Sequence, residues 1–224
     1  MKYAQIVSHV EQAIAEGRLA TGDRLPPERE LAAEHHVSRM TVRQALQTLE
    51  SRGVLRRAIG RNGGSFVAQP KLERDLGTFS GLSEQLRRQG VAAGARVLSA
   101  RAADGAIEIT RIRLADGEPF ALERSSFPAD RFAGLLGLDL TGSLYDLLDE
   151  HFAAAPVRAV ERIEPVLADA EEAEALGVPP GAPLMLVDRT AYDSAGLVIE
   201  TARDVFRGDR MRIVAWTSDL RETV

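Results

Sequence analysis

At 224 residues, 45% hydrophobic and 27% charged, the chain has the make-up of a soluble globular protein with one large domain or two small ones. The absence of Cys excludes disulfides, a thiolate metal site and a Cys nucleophile, and no apolar run approaches the ~18 residues of a membrane span. The net charge of −5 is unevenly spread: residues 1–68 carry 10 Lys and Arg against 7 Asp and Glu, whereas residues 69–224 carry 18 against 26. Between residues 35 and 65 six Arg face a single acid, Glu50, so positive charge gathers where a nucleic-acid backbone would be met. The N-terminus mixes acids and bases on an amphipathic pattern unlike a signal peptide, so a cytoplasmic protein with no membrane contact is expected. His9, His35, His36 and His151 show no convincing metal-ligand spacing, and neither a metal nor a cofactor is expected.

Ile6, Val7, Val10, Ala13 and Ile14 recur at helical spacing, and Gly17 ends that helix. After a turn-rich connector, Pro27 and Glu28 open a second helix, with proline at its first position, running to about His35. Ser38 is suited to cap a third helix, on which Val42, Ala45, Leu46 and Leu49 form one apolar stripe. Arg39, Arg43 and Gln47 repeat every four residues off that stripe and share a row. Gly53 ends the helix, and two short strands flanking GRNGG make a β-hairpin. Three helices and a hairpin in this order describe a winged helix-turn-helix; a small helical domain with solvated arginines is the plainer alternative.

Residues 69–77 are polar and read as a linker. GLSEQLRRQG is a short helix, and three strands follow over 95–102, 106–115 and 119–127, with ADGE as a hairpin turn. DRFAGLL and SLYDLLDEHF read as short helices, 157–168 as a strand and DAEEAEALG as a helix. The strands 183–192, 197–206 and 211–217 close the chain as a meander with turns at DSAG and RGDR. The fold class is α+β with a mostly antiparallel sheet.

The first 68 residues resemble the GntR family of bacterial transcription regulators. The resemblance is carried by Tyr3, Gln5, Ile6, GDRLPPEREL, VSRMTVRQAL, LESRGVL and the glycine-rich wing ending in Phe66-Val67. The remainder resembles the ligand-sensing UTRA domain of the HutC subfamily through LSEQLRRQG, RIRLADGEP, SLYDLL, EALGVPPGAPLMLVDRTAYD and RGDR. The resemblance implies a winged helix-turn-helix domain (1–68), a linker (69–77) and a chorismate-lyase-like UTRA domain (78–224). It further implies a homodimer on a near-palindromic double-stranded DNA operator, released or retained according to a small effector.

Arg29, Arg39 and Arg43 match the family's DNA-contacting arginines, and an arginine fork can bond O6 and N7 of one guanine. Ser38 and Thr41, at the helix start, offer hydroxyls and N–H groups to phosphate, or else simply cap the helix. In the wing, Gly63 and Gly64 admit close backbone approach and Arg61 can follow into the minor groove; a hairpin turn needing positive φ is the alternative. The family's usual G-x-G-[ST]-F-V pattern is lengthened here between the glycines.

Arg111 and Arg113 match a family pair that binds the effector's anionic part. They also continue the apolar face of Ile107 and Ile109 at period two, and buried cations need partners. An anionic ligand is one such partner; structural salt bridges to Glu123 and Glu200 are the other. Ser143 opens the SLYDLL helix as an anion site or as a cap. The resemblance adds Gly81, Leu82 and Ser83 as phosphate contacts, Glu123 and Glu200 as acceptors, and Phe206 as a stacking ring. Gly81 stands where serine is usual and Phe206 where tyrosine is frequent, so two hydroxyl contacts are lost. A sugar phosphate, phosphonate or carboxylate fits this set better than a simple N-acetylamino-sugar phosphate. Neither a lyase-like enzyme, for which no second catalytic group is evident, nor a constitutive architectural protein accounts for both halves as well.

Overall fold

The computed structural model describes residues 2–58, 60, 63–78 and 81–217. It divides into two compact units, Met1–Lys71 and Leu72–Val224. Among the described residues no helix is long and apolar enough to cross a membrane.

The first unit holds α1 (Lys2–Ala15), α2 (Glu28–Glu34), α3 (Arg39–Ser51), β1 (Leu55–Ala58) and β2 (Gly64–Val67). Its core joins Ile6, Val7 and Val10 of α1 to Leu31 of α2 and to Val42, Ala45, Leu46 and Leu49 of α3. Gly17 and Gly53 follow α1 and α3 with φ of 73° and 71°, the left-handed conformation that stops a helix at least cost. Pro27 sits at the N-cap of α2 rather than inside its first turn, and Glu28 and Glu30 place their charges at the positive end of the dipole. The Ser38 hydroxyl accepts the Thr41 N–H at 3.1 Å and so caps α3. β1 and β2 pair antiparallel from Leu55↔Val67 to Ala58↔Gly64, with Arg24 bridged to Phe66 beside them.

The second unit is built on an antiparallel six-stranded sheet in the order β4-β5-β6-β9-β8-β7. These strands are β4 (Ala93–Ala103), β5 (Ala106–Ala115), β6 (Glu118–Pro128), β7 (Arg158–Leu167), β8 (Pro183–Tyr192) and β9 (Val198–Arg207). Strand alternation divides the side chains between the faces. Ile107, Ile109 and Phe127 pack with Leu144 and Leu148 of α5 (Leu144–Phe152). Ile112, Leu122 and Val205 point the other way, onto Ala173 and Leu176 of α6 (Ala170–Leu176). A reciprocal capping box between Asp169 and Glu172 starts α6.

Three readings of the sequence are corrected here. Residues 72–75, read as linker, form β3 (Leu72–Asp75), which pairs in parallel with β10 (Met211–Val214). The closing meander therefore ends at β9: both edges of that strand are taken, by β6 and β8, so the next strand has no edge there to join. DRFAGLL is not an α-helix but a turn leading into a 3-10 segment, Leu135–Gly137, because Gly134 adopts φ 96° and interrupts the run. α4 (Leu82–Arg88) follows β3 and buries Leu86 against Leu72, Phe206 and Met211.

Candidate functional site

In the second unit β5, β6, β8 and β9 present one side of their alternating residues to a cavity of about 310 Å³, closed by the starts of α4 and α5. Arg111 and Arg113 enter from β5 and are almost fully buried. Glu123, the direct partner of Arg111 across the β5–β6 ladder, receives both: from Arg111 at 2.7 Å and from Arg113 at 3.0 Å. Arg111 also donates to the carbonyls of Leu140 (2.7 Å) and Gly142 (2.9 Å), and Arg113 donates to the Ser83 hydroxyl at 2.7 Å. The Arg111 Nε has no hydrogen-bond partner among the described residues. Burial raises the Glu123 carboxyl, but the charges of Arg113 and Arg111 outweigh it and hold the group at about 2.

The opposite wall is built around Arg189 of β8. Its Nε donates to Glu200 at 3.1 Å, its Nη2 donates to Asp204 at 3.1 Å, and Glu161 of β7 lies 3.5 Å away. Tyr145 of α5 donates its hydroxyl to Glu200 at 2.6 Å. Arg74 of β3 pairs with Glu161 and rests over the Phe206 ring, 5.4 Å from its centroid. Asp204 is fully buried, and its Oδ1 has no hydrogen-bond partner among the described residues. Burial pushes its carboxyl up, Arg189 only partly offsets that, and Glu123 and Glu200 add to the rise, leaving it at about 7.

Gly81, Leu82, Ser83, Arg111, Arg113, Glu123, Ser143, Glu200 and Phe206 all line this cavity. The salt-bridge alternative is half realised: Glu123 takes both arginines, whereas Glu200 pairs with Arg189 and Tyr145. The Ser143 hydroxyl accepts the Asp146 N–H at 3.3 Å and is thus a cap that also faces the cavity. A Cβ at Gly81 would lie 3.2 Å from that hydroxyl, a tight contact that a shift of a few tenths of an ångström would relieve.

In the first unit Arg29, Arg39 and Arg43 are exposed, the last two off the buried stripe of α3. Arg43 is held by Glu28 in two hydrogen bonds, at 2.9 and 3.3 Å. The Ser38 and Thr41 hydroxyl oxygens are 2.9 Å apart at the helix start. Gly64 has φ 155°, and a Cβ on it would come within 2.8 Å of Arg24 Nε. A Cβ on Gly63 would come within 2.7 Å of the Ala58 carbonyl, and the Gly63 carbonyl itself accepts from Arg24 at 2.6 Å. Backbone crowding thus accounts for Gly63, whereas at Gly64 the neighbour is a side-chain end and it is the positive φ that favours glycine. Arg61 lies outside the described residues.

Residues 2–67 match the family described as bacterial regulatory proteins, gntR family, and residues 84–212 match the UTRA domain. The chain is a GntR-family transcriptional regulator. Its second unit places it in the HutC, or UTRA, branch of that family. It is similar to the HTH-type transcriptional repressor NagR of Bacillus subtilis, 35% identical over 233 residues, covering 97% of this chain and 95% of NagR. It is equally similar to the HTH-type transcriptional repressor PhnF of Mycolicibacterium smegmatis, 35% identical over 210 residues and covering 87% and 84% of the two chains. The crystal structure of PhnF matches with a TM-score of 0.67 at 32% identity, over 97% of this chain and 99% of that one.

Several cavity residues of the regulator escaped the reading of its sequence: Arg74, Tyr145, Glu161, Arg189 and Asp204. Two of them left a signal. Asp204 lies between Glu200 and Phe206 on the same period-two face, and Arg189 shares a strand face with buried Val187 and Ala191. Arg74 fell in the segment taken for linker, and Glu161 is brought in only by the pairing of β7 with β8.

Proposed function

We propose that the regulator is a repressor that binds a near-palindromic operator as a homodimer and is controlled by a small anionic metabolite. DNA reading is assigned to residues 1–68, through Arg29, Arg39, Arg43, Ser38, Thr41 and the wing. Sensing is assigned to the second unit. The observation that carries this reading is the buried pair Arg111 and Arg113, which shares the Glu123 carboxylate and leaves Arg111 Nε without a partner among the described residues. An anion would complete the valence of that cationic corner, beside the N–H groups at the start of α5. A cavity of about 310 Å³ suits a small ligand such as a sugar phosphate, phosphonate or carboxylate. Repression is supported by the names of NagR and PhnF, both called repressors.

The test is selection of bound sequences from random DNA, followed by release of the selected operator with panels of those anion classes. Recovery of a palindrome that one class releases is the expected result. Failure to select any sequence counts against the DNA reading, and a selected operator that no anion affects counts against the sensing.

A further inference from the structure

The tertiary fold of the DNA-reading unit brings a histidine of α1 beside two consecutive residues at the end of α2, all three of types that can ligate a metal. His9 is in the middle of α1, Glu34 is the last residue of α2 and His35 is its C-cap. The two imidazoles meet edge-on, with ring centroids 5.1 Å apart at 82°. One ligand atom from each of the three residues lies within 4.8 Å of the others. Ring packing leaves something unexplained: His35 Nε2 is buried and has no hydrogen-bond partner among the described residues. A buried polar nitrogen in that state is costly unless something outside the chain completes it.

We propose that His9, Glu34 and His35 form a zinc site that ties α1 to the end of α2. Two imidazoles and a carboxylate are a borderline donor set suited to Zn²⁺ rather than to Mg²⁺ or Ca²⁺, and the chain offers no Cys to compete for it. Tetrahedral zinc with ligands at about 2.0–2.2 Å holds donor atoms roughly 3.3 Å apart. His9 and Glu34 are exposed, so their side chains are free of the packing that would hold the donors at the present separation. Three protein ligands leave a fourth position for water. The site sits directly before the turn into α3, so an ion there fixes the base from which Arg39 and Arg43 project. This inference does not depend on the identity or existence of an effector.

The experiment is a zinc titration of the full chain by equilibrium dialysis with elemental analysis, using Mg²⁺ as the control ion. The parent, His9→Ala and Glu34→Gln proteins are compared. His9 and Glu34 are exposed, so both variants keep the fold, which helical circular dichroism verifies. The parent should take up one zinc per chain at micromolar free metal, with no comparable uptake of magnesium. His9→Ala should weaken zinc affinity by more than roughly tenfold, since losing even an outer-shell partner of a metal costs about that much. Zinc should also raise the thermal midpoint of the DNA-reading unit in the parent and not in His9→Ala. In ¹⁵N-histidine spectra of the parent, zinc should move His9 and His35 and leave His36 and His151 in place. Zinc uptake only at millimolar metal, or equal affinity in parent and His9→Ala, overturns the proposal. So do shifts confined to His36 or His151.

Discussion

Glu123 and Asp204 are direct partners across the β6–β9 ladder, both buried, yet their carboxyls are driven in opposite directions. Burial works against the charged form of each. Glu123 meets two arginine forks from β5 and stays ionised, at about 2. Asp204 shares Arg189 with Glu200 and faces two neighbouring acids, so it is held at about 7. The cavity therefore has a fully ionised acid beside its β5 wall and a titrating one beside its β8 wall.

This difference predicts how stability depends on pH. Asp204 is raised from an ordinary value of 3.8, so the folded chain holds a proton that the unfolded chain releases. Its contribution is complete below the unfolded value and disappears as pH rises through about 7. Glu123, lowered from 4.5 to about 2, contributes above the unfolded value and loses that contribution as pH falls through about 2. Thermal denaturation from about pH 5 to about pH 8 should show the second unit losing stability in the parent, and losing less in Asp204→Asn. Equal slopes in the two proteins would rule out this account of Asp204.

Arg111→Lys tests the cationic corner with less risk to folding than truncation, which leaves a buried acid short of a partner at a cost of about 3–5 kcal/mol. Lysine keeps the charge but cannot reach Glu123 and the Leu140 and Gly142 carbonyls together in the geometry of a guanidinium. Loss of one charge-assisted hydrogen bond, about 1.5–3 kcal/mol, should weaken inducer affinity by roughly ten- to hundredfold. Fluorescence anisotropy of a labelled operator measures the inducer concentration needed for release. An unchanged concentration removes Arg111 from the effector site.

The Arg43–Glu28 pair is half exposed, so it contributes only about 0–1 kcal/mol and yields readily to a stronger partner. Arg43→Ala should cost operator affinity by about 1–3 kcal/mol and relax base preference at one position if the arginine reads guanine. If it holds a phosphate, affinity should fall evenly across sequences and the salt dependence should shrink by about one ion. Glu28→Gln should leave stability within about 1 kcal/mol of the parent and bind the operator at least as tightly. Unaltered binding by Arg43→Ala, in both affinity and sequence preference, is the result that excludes this residue.

Gly63→Ala puts a methyl group against the Ala58 carbonyl, a backbone atom that cannot swing aside. Overpacking of this kind costs about 1–3 kcal/mol and here distorts the wing. Operator affinity should drop while the melting of the second unit is unaffected, as followed by calorimetry. A variant with the parent's operator affinity would show that wing shape does not matter for binding.

Local chemistry made much of this legible from the sequence. The apolar stripe from Val42 to Leu49, the caps at Ser38 and Ser143, and the glycine stops after α1 and α3 each act within one or two helical turns. A residue's nearest neighbours in the sequence are then also its partners in space. The same holds for Arg111, whose strand alternation with Ile107 and Ile109 already showed it to face inward.

Relations between distant segments were not legible in this way. The pairing of β3 with β10 depends on β9 having both edges occupied, which no local pattern records. The apportioning of Glu123 to two arginines and of Glu200 to Arg189 and Tyr145 follows from which strands lie side by side. Asp204 titrates near neutrality because four elements converge on it, not because of the residues beside it in the chain. His9 meets Glu34 and His35 only because α1 and α2 both pack on α3. Helices and single strands answer to contacts a few residues apart, whereas a cavity or a metal site answers to the packing of whole elements, where long-range burial and charge decide the partners.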